Sequence, residues 1–277
     1  MKYTAFLLII ILSCFIVWGQ SKLAHADVLT PHQAIYNLTL SGKKSGAQIV
    51  SLNGSMFYEI KNNCDGWTTH HKFNMRYDYA DTPSTFHHSD FTTFESFDGQ
   101  FFNFSTRRYR NNDLYEEFRG AAQGGQALFS IPQDTKISLS SNVLYPVSHT
   151  RALIKKAKEG ERFFTSKVFD GSDDEGVIYI HTHISSMEDL PRYKTPDIHE
   201  DLLPQKAWKV HMSVFPDKDD YELADYEISM VLYDTGIIDK MEIDYGTFKV
   251  SQFLSALQPI TTNKQKNHTQ TIECDRL

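Results

Sequence analysis

Apolar and polar residues alternate along much of this chain, in short runs rich in aromatic and β-branched side chains. Turn residues separate these runs at intervals of about 8–12 residues, a spacing typical of antiparallel strands. The longest run covers residues 66–81, where every second position would share one face of a strand. That face would carry Trp67, Thr69, His71, Phe73, Met75, Tyr77 and Tyr79. The pattern predicts a meander of strands with one buried face.

Glycine-containing turns support the same prediction. Asp98-Gly99 lies between two aromatic runs, and this pair is typical of a tight hairpin in which both residues take positive φ. Nearer the C-terminus, Thr235-Gly236 and Tyr245-Gly246 separate three further strand-like runs. We therefore expect an antiparallel meander there as well.

One segment has a helical period instead. Residues 147–162 contain good helix formers, with Ser148 or Thr150 as the N-cap and Gly160 as the C-terminal stop. A single helix of three turns in a β-rich chain is expected to cap or plug a sheet. Because the chain shows no linker-like tract and no repeat, we expect one all-β domain of about 250 residues, a size that sandwiches and barrels reach.

The first 26 residues have the order of a secretory signal. Lys2 precedes an apolar run from Ala5 to Trp18, and the sequence Ala24-His25-Ala26 follows as a signal-peptidase site. We predict cleavage between Ala26 and Asp27, which leaves a mature domain of residues 27–277. The apolar run is short for a membrane span, although an uncleaved anchor is the alternative.

Charge and cysteine count narrow the function classes. The chain has a formal net charge of −7, and removal of Lys2 and Lys22 with the signal makes it more acidic. Nucleic acid is a poor partner for such a chain, because its binding rests on clustered Lys and Arg. The mature chain keeps Cys64 and Cys274, which outside the cytosol most simply form one disulfide.

Motifs of metal or catalytic sites are weak. His181 and His183 would share a strand face, but no third ligand follows at a sequence spacing typical of metal sites. We therefore expect no metal and no cofactor. Asp170, Ser172 and Asp174 imitate the opening of a calcium loop, yet its twelfth position lacks the required glutamate. No Gly-x-Ser-x-Gly elbow is present. We therefore expect no enzyme.

Five stretches of the chain, taken in order, resemble a known family. They are HQAIYNLTL (32–40), GSMFYEIKNNCDGWTTHHKF (54–73), NVLYPVSHTRALIKKAKEGERFF (142–164), VFDGSD (168–173) and LYDTGIIDKMEIDYGTFKV (232–250). A cysteine close to the C-terminus completes the set. The sequence resembles the EipB-type cell-envelope-integrity family of Gram-negative alphaproteobacteria over nearly the whole mature chain.

The resemblance implies a soluble periplasmic protein that folds as a broad, highly curved antiparallel β-spiral. This would be an open barrel with one short capping helix. It also implies a disulfide between Cys64 and Cys274 and a functional link to a periplasmic tetratricopeptide-repeat protein. Similar curved sheets occur in periplasmic lipoprotein carriers, which is an analogy of fold and not of function. The family has no established catalytic residues, so the resemblance assigns none.

Two classes of function remain open at this stage. The first is a non-enzymatic factor that maintains envelope integrity and stress resistance by binding a protein or an amphiphile on the curved sheet. The second is a lipid or lipoprotein carrier, or else a secreted hydrolase. A carrier would need inward-facing aromatic residues that line a cavity, for which we name Phe91, Phe94, Phe101 and Tyr109. A hydrolase would need converging polar groups in a pocket, with displaced pKa values.

Overall fold

The computed structural model describes residues 29–187, 190, 195–204, 206–216 and 223–260. Strands dominate this part of the chain, as the alternating pattern predicts. They are β1 (His32–Lys43), β2 (Ile49–Asn62), β3 (Gly66–Tyr79), β4 (Thr85–Ser96), β5 (Phe101–Arg110), β6 (Asp113–Gln123), β7 (Gln126–Ile131), β8 (Lys136–Ser138), β9 (Val143–Leu144), β10 (Phe163–Val168), β11 (Ile178–Met187), β12 (Ala207–Pro216), β13 (Tyr226–Tyr233), β14 (Ile238–Asp244) and β15 (Phe248–Pro259). The helices are α1 (Pro146–Glu159) and a short 3-10 helix (Glu200–Leu202).

All fifteen strands belong to one sheet. Their order is β8-β7-β6-β5-β4-β3-β2-β1-β15-β14-β13-β12-β11-β10-β9. Neighbouring strands are therefore consecutive in the chain, except for β1 and β15, which pair in the centre. Each described pair is antiparallel apart from β9 with β10. The prediction of an antiparallel meander is confirmed, and the sheet is open, with β8 and β9 as its edges.

The sheet is strongly curved, because its two edges must lie close together. Strands β8 and β9 follow one another in the chain, and only residues 139–142 connect them. Five residue steps reach about 18 Å at most. Fifteen flat strands would instead place the edges roughly 65 Å apart, since neighbouring strands are about 4.8 Å apart. The predicted open, highly curved sheet is therefore confirmed.

The curvature brings β5 against the segment that follows β10. Phe169 is fully buried and packs edge-on against Phe102 and Phe104 of β5. Thr106 donates a hydrogen bond to the Gly171 carbonyl at 3.2 Å. A Cβ atom on Gly171 would come within 2.4 Å of the Phe104 side chain, so this close approach requires glycine. These contacts hold the two halves of the sheet together.

Helix α1 starts earlier than the sequence indicates. The predicted N-caps Ser148 and Thr150 are wrong, because the helix begins at Pro146, a residue whose ring favours the first helical position. The cap comes from another element: the Glu95 carboxylate of β4 accepts the backbone N–H groups of Val147 and Ser148 at 2.8 and 2.7 Å.

The C-terminal end of the helix matches the prediction. Gly160 takes the left-handed conformation, with φ of 81°, directly after the last helical residue. Leu153 and Ile154 are almost completely buried, and they belong to the main apolar core together with Trp67 and Trp208. The predicted capping helix therefore packs onto the concave side of the sheet. Within the described residues, no helix has the length and apolar composition that a membrane crossing requires.

The predicted hairpin between β4 and β5 forms, with one correction. Gly99 has a φ of +66°, but Asp98 does not take positive φ. The connection has four residues, and Asp98 stabilises it through its side chain and not through a positive φ. Its carboxylate accepts hydrogen bonds from Ser96 Oγ at 2.6 Å and from the Gln100 N–H at 3.0 Å.

Substitution of Gly99 by valine tests this turn. A β-branched residue is strained at positive φ, and the new Cβ atom would lie 3.0 Å from Ser148 Oγ. We expect Gly99→Val to lower the free energy of unfolding by about 1 kcal/mol or more, measured by urea denaturation. Gln100→Val, in the next exposed position, should stay close to wild type. Equal stability of the two variants would argue against the turn.

Candidate functional site: an apolar cavity inside the curved sheet

The concave side of the sheet encloses a cavity of about 370 Å³. Its walls come from β1 to β4, from α1, and from β12 to β15. Inward positions alternate along each strand, which explains why lining residues recur at every second place. On β2, for example, Met56, Tyr58 and Ile60 all line the cavity.

Most of the cavity wall is apolar. Four methionines contribute to it: Met56, Met212, Met230 and Met241. Methionine is unbranched and polarizable, so it adapts to ligands of irregular shape. Phe73 and Phe91 add aromatic surface from β3 and β4. An apolar and aromatic lining with a few polar groups is typical of small-molecule binding sites.

Three histidines line the same cavity. His32 begins β1, His71 lies in the middle of β3, and His149 lies in the first turns of α1. The Tyr58 ring contacts two of them, with centroid separations of 5.4 Å to His32 and 4.7 Å to His71. The fold therefore brings together imidazoles from three elements that are far apart in sequence.

The surroundings keep these histidines uncharged. Burial, with a smaller contribution from neighbouring His70, lowers the pKa of His71 to about 4. Burial alone lowers the pKa of His149 to about 4. Burial also lowers the pKa of His32, and its hydrogen bond to the Thr30 carbonyl opposes that effect. All three are neutral at pH 7, because an apolar wall disfavours the imidazolium ion.

Hydrogen bonding leaves part of two rings unsatisfied. His32 Nδ1 lies 2.7 Å from the Thr30 carbonyl oxygen, whereas its Nε2 is buried and has no hydrogen-bond partner. His149 Nε2 is also buried without a partner. Buried polar atoms are rarely left in this state. The cavity thus combines an apolar wall with unused polar atoms at its margin.

Only one of the four aromatic residues that we predicted to face inward does so. Phe91 lines the cavity. Phe94 and Phe101 contact each other on the opposite face of the sheet, because Thr93 and Glu95 occupy the buried positions of β4. Tyr109 packs against His88 on that face as well, eight positions along β5 from Phe101. The assignments of Phe94, Phe101 and Tyr109 are wrong.

The two histidines considered as metal ligands lie away from the cavity. His181 and His183 are on the outer face of β11, next to Phe215 and Phe163. Among the described residues, no group of three His, Cys, Asp or Glu side chains is arranged to hold a metal ion. In the acidic segment, the Asp170 carboxylate accepts a hydrogen bond from the Ser172 N–H at 2.9 Å, and this contact stabilises a turn.

The remaining predictions concern the ends of the chain. Cys64 lies in the turn between β2 and β3, whereas Cys274 lies outside the described residues, so their pairing stays a prediction. Ala26 and Asp27, at the predicted cleavage site, also lie outside the described residues.

Sequence reasoning missed His32, His149 and the methionines as parts of one site. For His71 a signal existed, because the alternation in β3 places it on the same face as Trp67 and Phe73. For His32 and His149 there was no local signal. Their meeting depends on which strands pair and on where α1 packs.

Fold and site together define a class of protein: a strongly curved, open antiparallel sheet wrapped around an apolar cavity. A family model described as EipB-like matches residues 23–261. The chain therefore belongs to the EipB-like family, as its resemblance predicts.

Two relatives from Brucella abortus show the extent of the similarity. The chain is 30% identical over 255 residues to the cell envelope integrity protein EipB of strain 2308, and the match covers 90% of each protein. It is also similar to the crystal structure of a β-barrel-like protein of a domain of unknown function, DUF1849. That match has a TM-score of 0.77 and 30% sequence identity, and it covers 83% of this chain and 98% of the other.

Proposed function

We propose that this protein is a non-enzymatic periplasmic factor that maintains the integrity of the cell envelope by binding an amphiphile in its interior cavity. The apolar cavity of about 370 Å³ carries this proposal, since its size falls in the usual range of ligand pockets. The name of the 30% identical Brucella protein supports the envelope role. The predicted secretory signal supports the periplasm.

Binding is better supported than hydrolysis. A histidine that activates a nucleophile has to be hydrogen-bonded to it. The Nε2 atoms of His32 and His149 have no partner, although Thr150 stands next to His149 and also lines the cavity. The displaced pKa values follow mainly from burial, which a binding cavity produces without any catalytic role.

A lipid or lipoprotein carrier would use the same cavity, so carriage is one form of this function. The family resemblance further suggests a periplasmic tetratricopeptide-repeat protein as a functional partner. The two suggestions are compatible, because the amphiphile would lie inside the sheet while a protein would contact its outer face.

Native mass spectrometry of the protein purified from the periplasm tests the proposal. We expect a co-purifying lipid with the wild type and its loss in Ile243→Trp, because Ile243 lines the cavity and a larger side chain fills it. Ile35→Trp is the matched control, since Ile35 is exposed on the outer face of β1. A lipid-free wild type, or equal lipid in both variants, would contradict the proposal.

Complementation links binding to the envelope. In a strain that lacks the protein, Ile35→Trp should restore detergent resistance as well as the wild type does, and Ile243→Trp should not. Full rescue by an Ile243→Trp protein that has lost its lipid would show that the envelope role does not depend on the cavity.

A further inference from the structure

We infer that the cavity selects an uncharged amphiphile whose head group donates a hydrogen bond to His32 Nε2, such as the hydroxyl of a long-chain alcohol or an acylglycerol. This inference rests on the proposed function, which names the cavity as a lipid site. It adds the chemistry of the head group.

The tautomer of His32 follows from its neighbour. A backbone carbonyl can only accept a hydrogen bond, so the nitrogen next to Thr30 O must carry the proton. That nitrogen is Nδ1. Because burial lowers the pKa of His32, the ring is neutral, and Nε2 then keeps a free lone pair. His32 is one of the residues that line the cavity, and its unpaired nitrogen is therefore an acceptor and not a donor.

This acceptor lacks a partner within the protein. Only about 1% of the His32 surface is exposed, and Nε2 is shielded and unpaired. Leaving a buried acceptor unpaired is costly. A ligand that donates a hydrogen bond removes this cost after a small adjustment of the ring, whereas a ligand without a donor leaves it in place.

Charge on the head group is disfavoured in the same cavity. No lysine or arginine occurs among the described residues that line it. A carboxylate or phosphate would be buried without a counter-ion and would place an acceptor against an acceptor. Asp170 also lines the cavity, and burial raises its pKa because the apolar surroundings disfavour a carboxylate. The same surroundings would disfavour a carboxylate on the ligand. An uncharged hydroxyl fits these surroundings.

A ligand series with one hydrocarbon chain tests the inference on the wild-type protein. The protein, exported to the periplasm, purified and stripped of lipid, is loaded with a fluorescent naphthylamine probe. Oleyl alcohol, its methyl ether, oleate and oleylamine then compete at pH 7.5. We expect the alcohol to bind roughly five- to tenfold more tightly than the ether, which has an acceptor and no donor, and oleate to bind less tightly than the alcohol.

A variant series assigns the effect to His32. In His32→Phe, which keeps the ring and removes the acceptor, the preference for alcohol over ether should disappear. In His32→Gln, which places an amide oxygen near the position of Nε2, part of it should remain. His183→Phe, on the outer face of β11, is the matched control and should keep the full preference.

The outcomes separate the two proposals. Equal binding of the alcohol and the ether by the wild type, or tighter binding of oleate or oleylamine than of the alcohol, would overturn the head-group inference alone. Failure of every ligand to displace the probe would overturn the lipid site itself. If His32→Phe does not fold, the comparison of alcohol and ether on the wild type still tests the head-group inference.

Discussion

Lowering the pH from 7 to 5 is expected to destabilise this protein markedly, because two cavity histidines must stay uncharged in the folded state. Burial lowers the pKa of both His71 and His149 in the folded protein to about 4, from an ordinary value of 6.5. Below pH 6.5 the unfolded chain binds protons that the folded chain does not. The stability contributed by these histidines is therefore complete above pH 6.5 and is lost as the pH falls towards 4.

The expected loss is large compared with the stability of a typical domain. At pH 5 the protonation of each histidine in the unfolded chain lowers the free energy of unfolding by about 2 kcal/mol, so the pair lowers it by about 4 kcal/mol. Typical domains have only about 5–15 kcal/mol of stability. Urea denaturation at pH 7.5, 6 and 5 measures the effect as a shift of the midpoint.

A double variant isolates this contribution. In His71→Phe/His149→Phe the midpoint should depend less on pH, whereas the control His183→Phe should keep the wild-type dependence. Burial raises the pKa of Glu95 and of Asp170, which opposes the effect at acidic pH. Both carboxyl groups are present in every variant, so they cancel in the comparison. An unchanged pH dependence in the double variant would contradict the assignment.

The strand architecture was predictable because alternation is a local property. The pattern in residues 66–81 predicted β3 and its buried face, and both are present. The same rule could have corrected the aromatic assignments. Phe91 and Phe94 are three positions apart, so a regular strand places them on opposite faces. Phe101 and Tyr109 are eight positions apart, so regular alternation places both on the same face of β5.

The site was not predictable because long-range contacts assemble it. Strands β1 and β15 pair in the centre of the sheet although they come from opposite ends of the chain. The Tyr36 hydroxyl, for example, donates to the Ile238 carbonyl at 2.9 Å across 202 positions. Glu95 caps α1 from more than 50 positions away. Such pairings decide where the helix starts and which histidines meet, and no local pattern encodes them.

The second large effect is expected from the predicted disulfide between Cys64 and Cys274. The bond would close a loop of 210 positions. In the chain-entropy model such a loop stabilises the fold by roughly 5 kcal/mol, less any strain in the native state. The sheet makes the pairing feasible. His32 pairs with both Pro259 of β15 and Ile60 of β2, so these two strand ends lie about 10 Å apart on one rim of the sheet.

Thiol counting and three variants test the bond. Unfolded, unreduced mature protein should contain no reactive thiol. Cys64→Ser and Cys274→Ser should each lower the melting temperature, and the double variant should be no less stable than either single one, because each change breaks the same bond. A reducing agent should lower the melting temperature of the wild type by a similar amount and leave the double variant unaffected. Two reactive thiols per unreduced chain would rule the bond out.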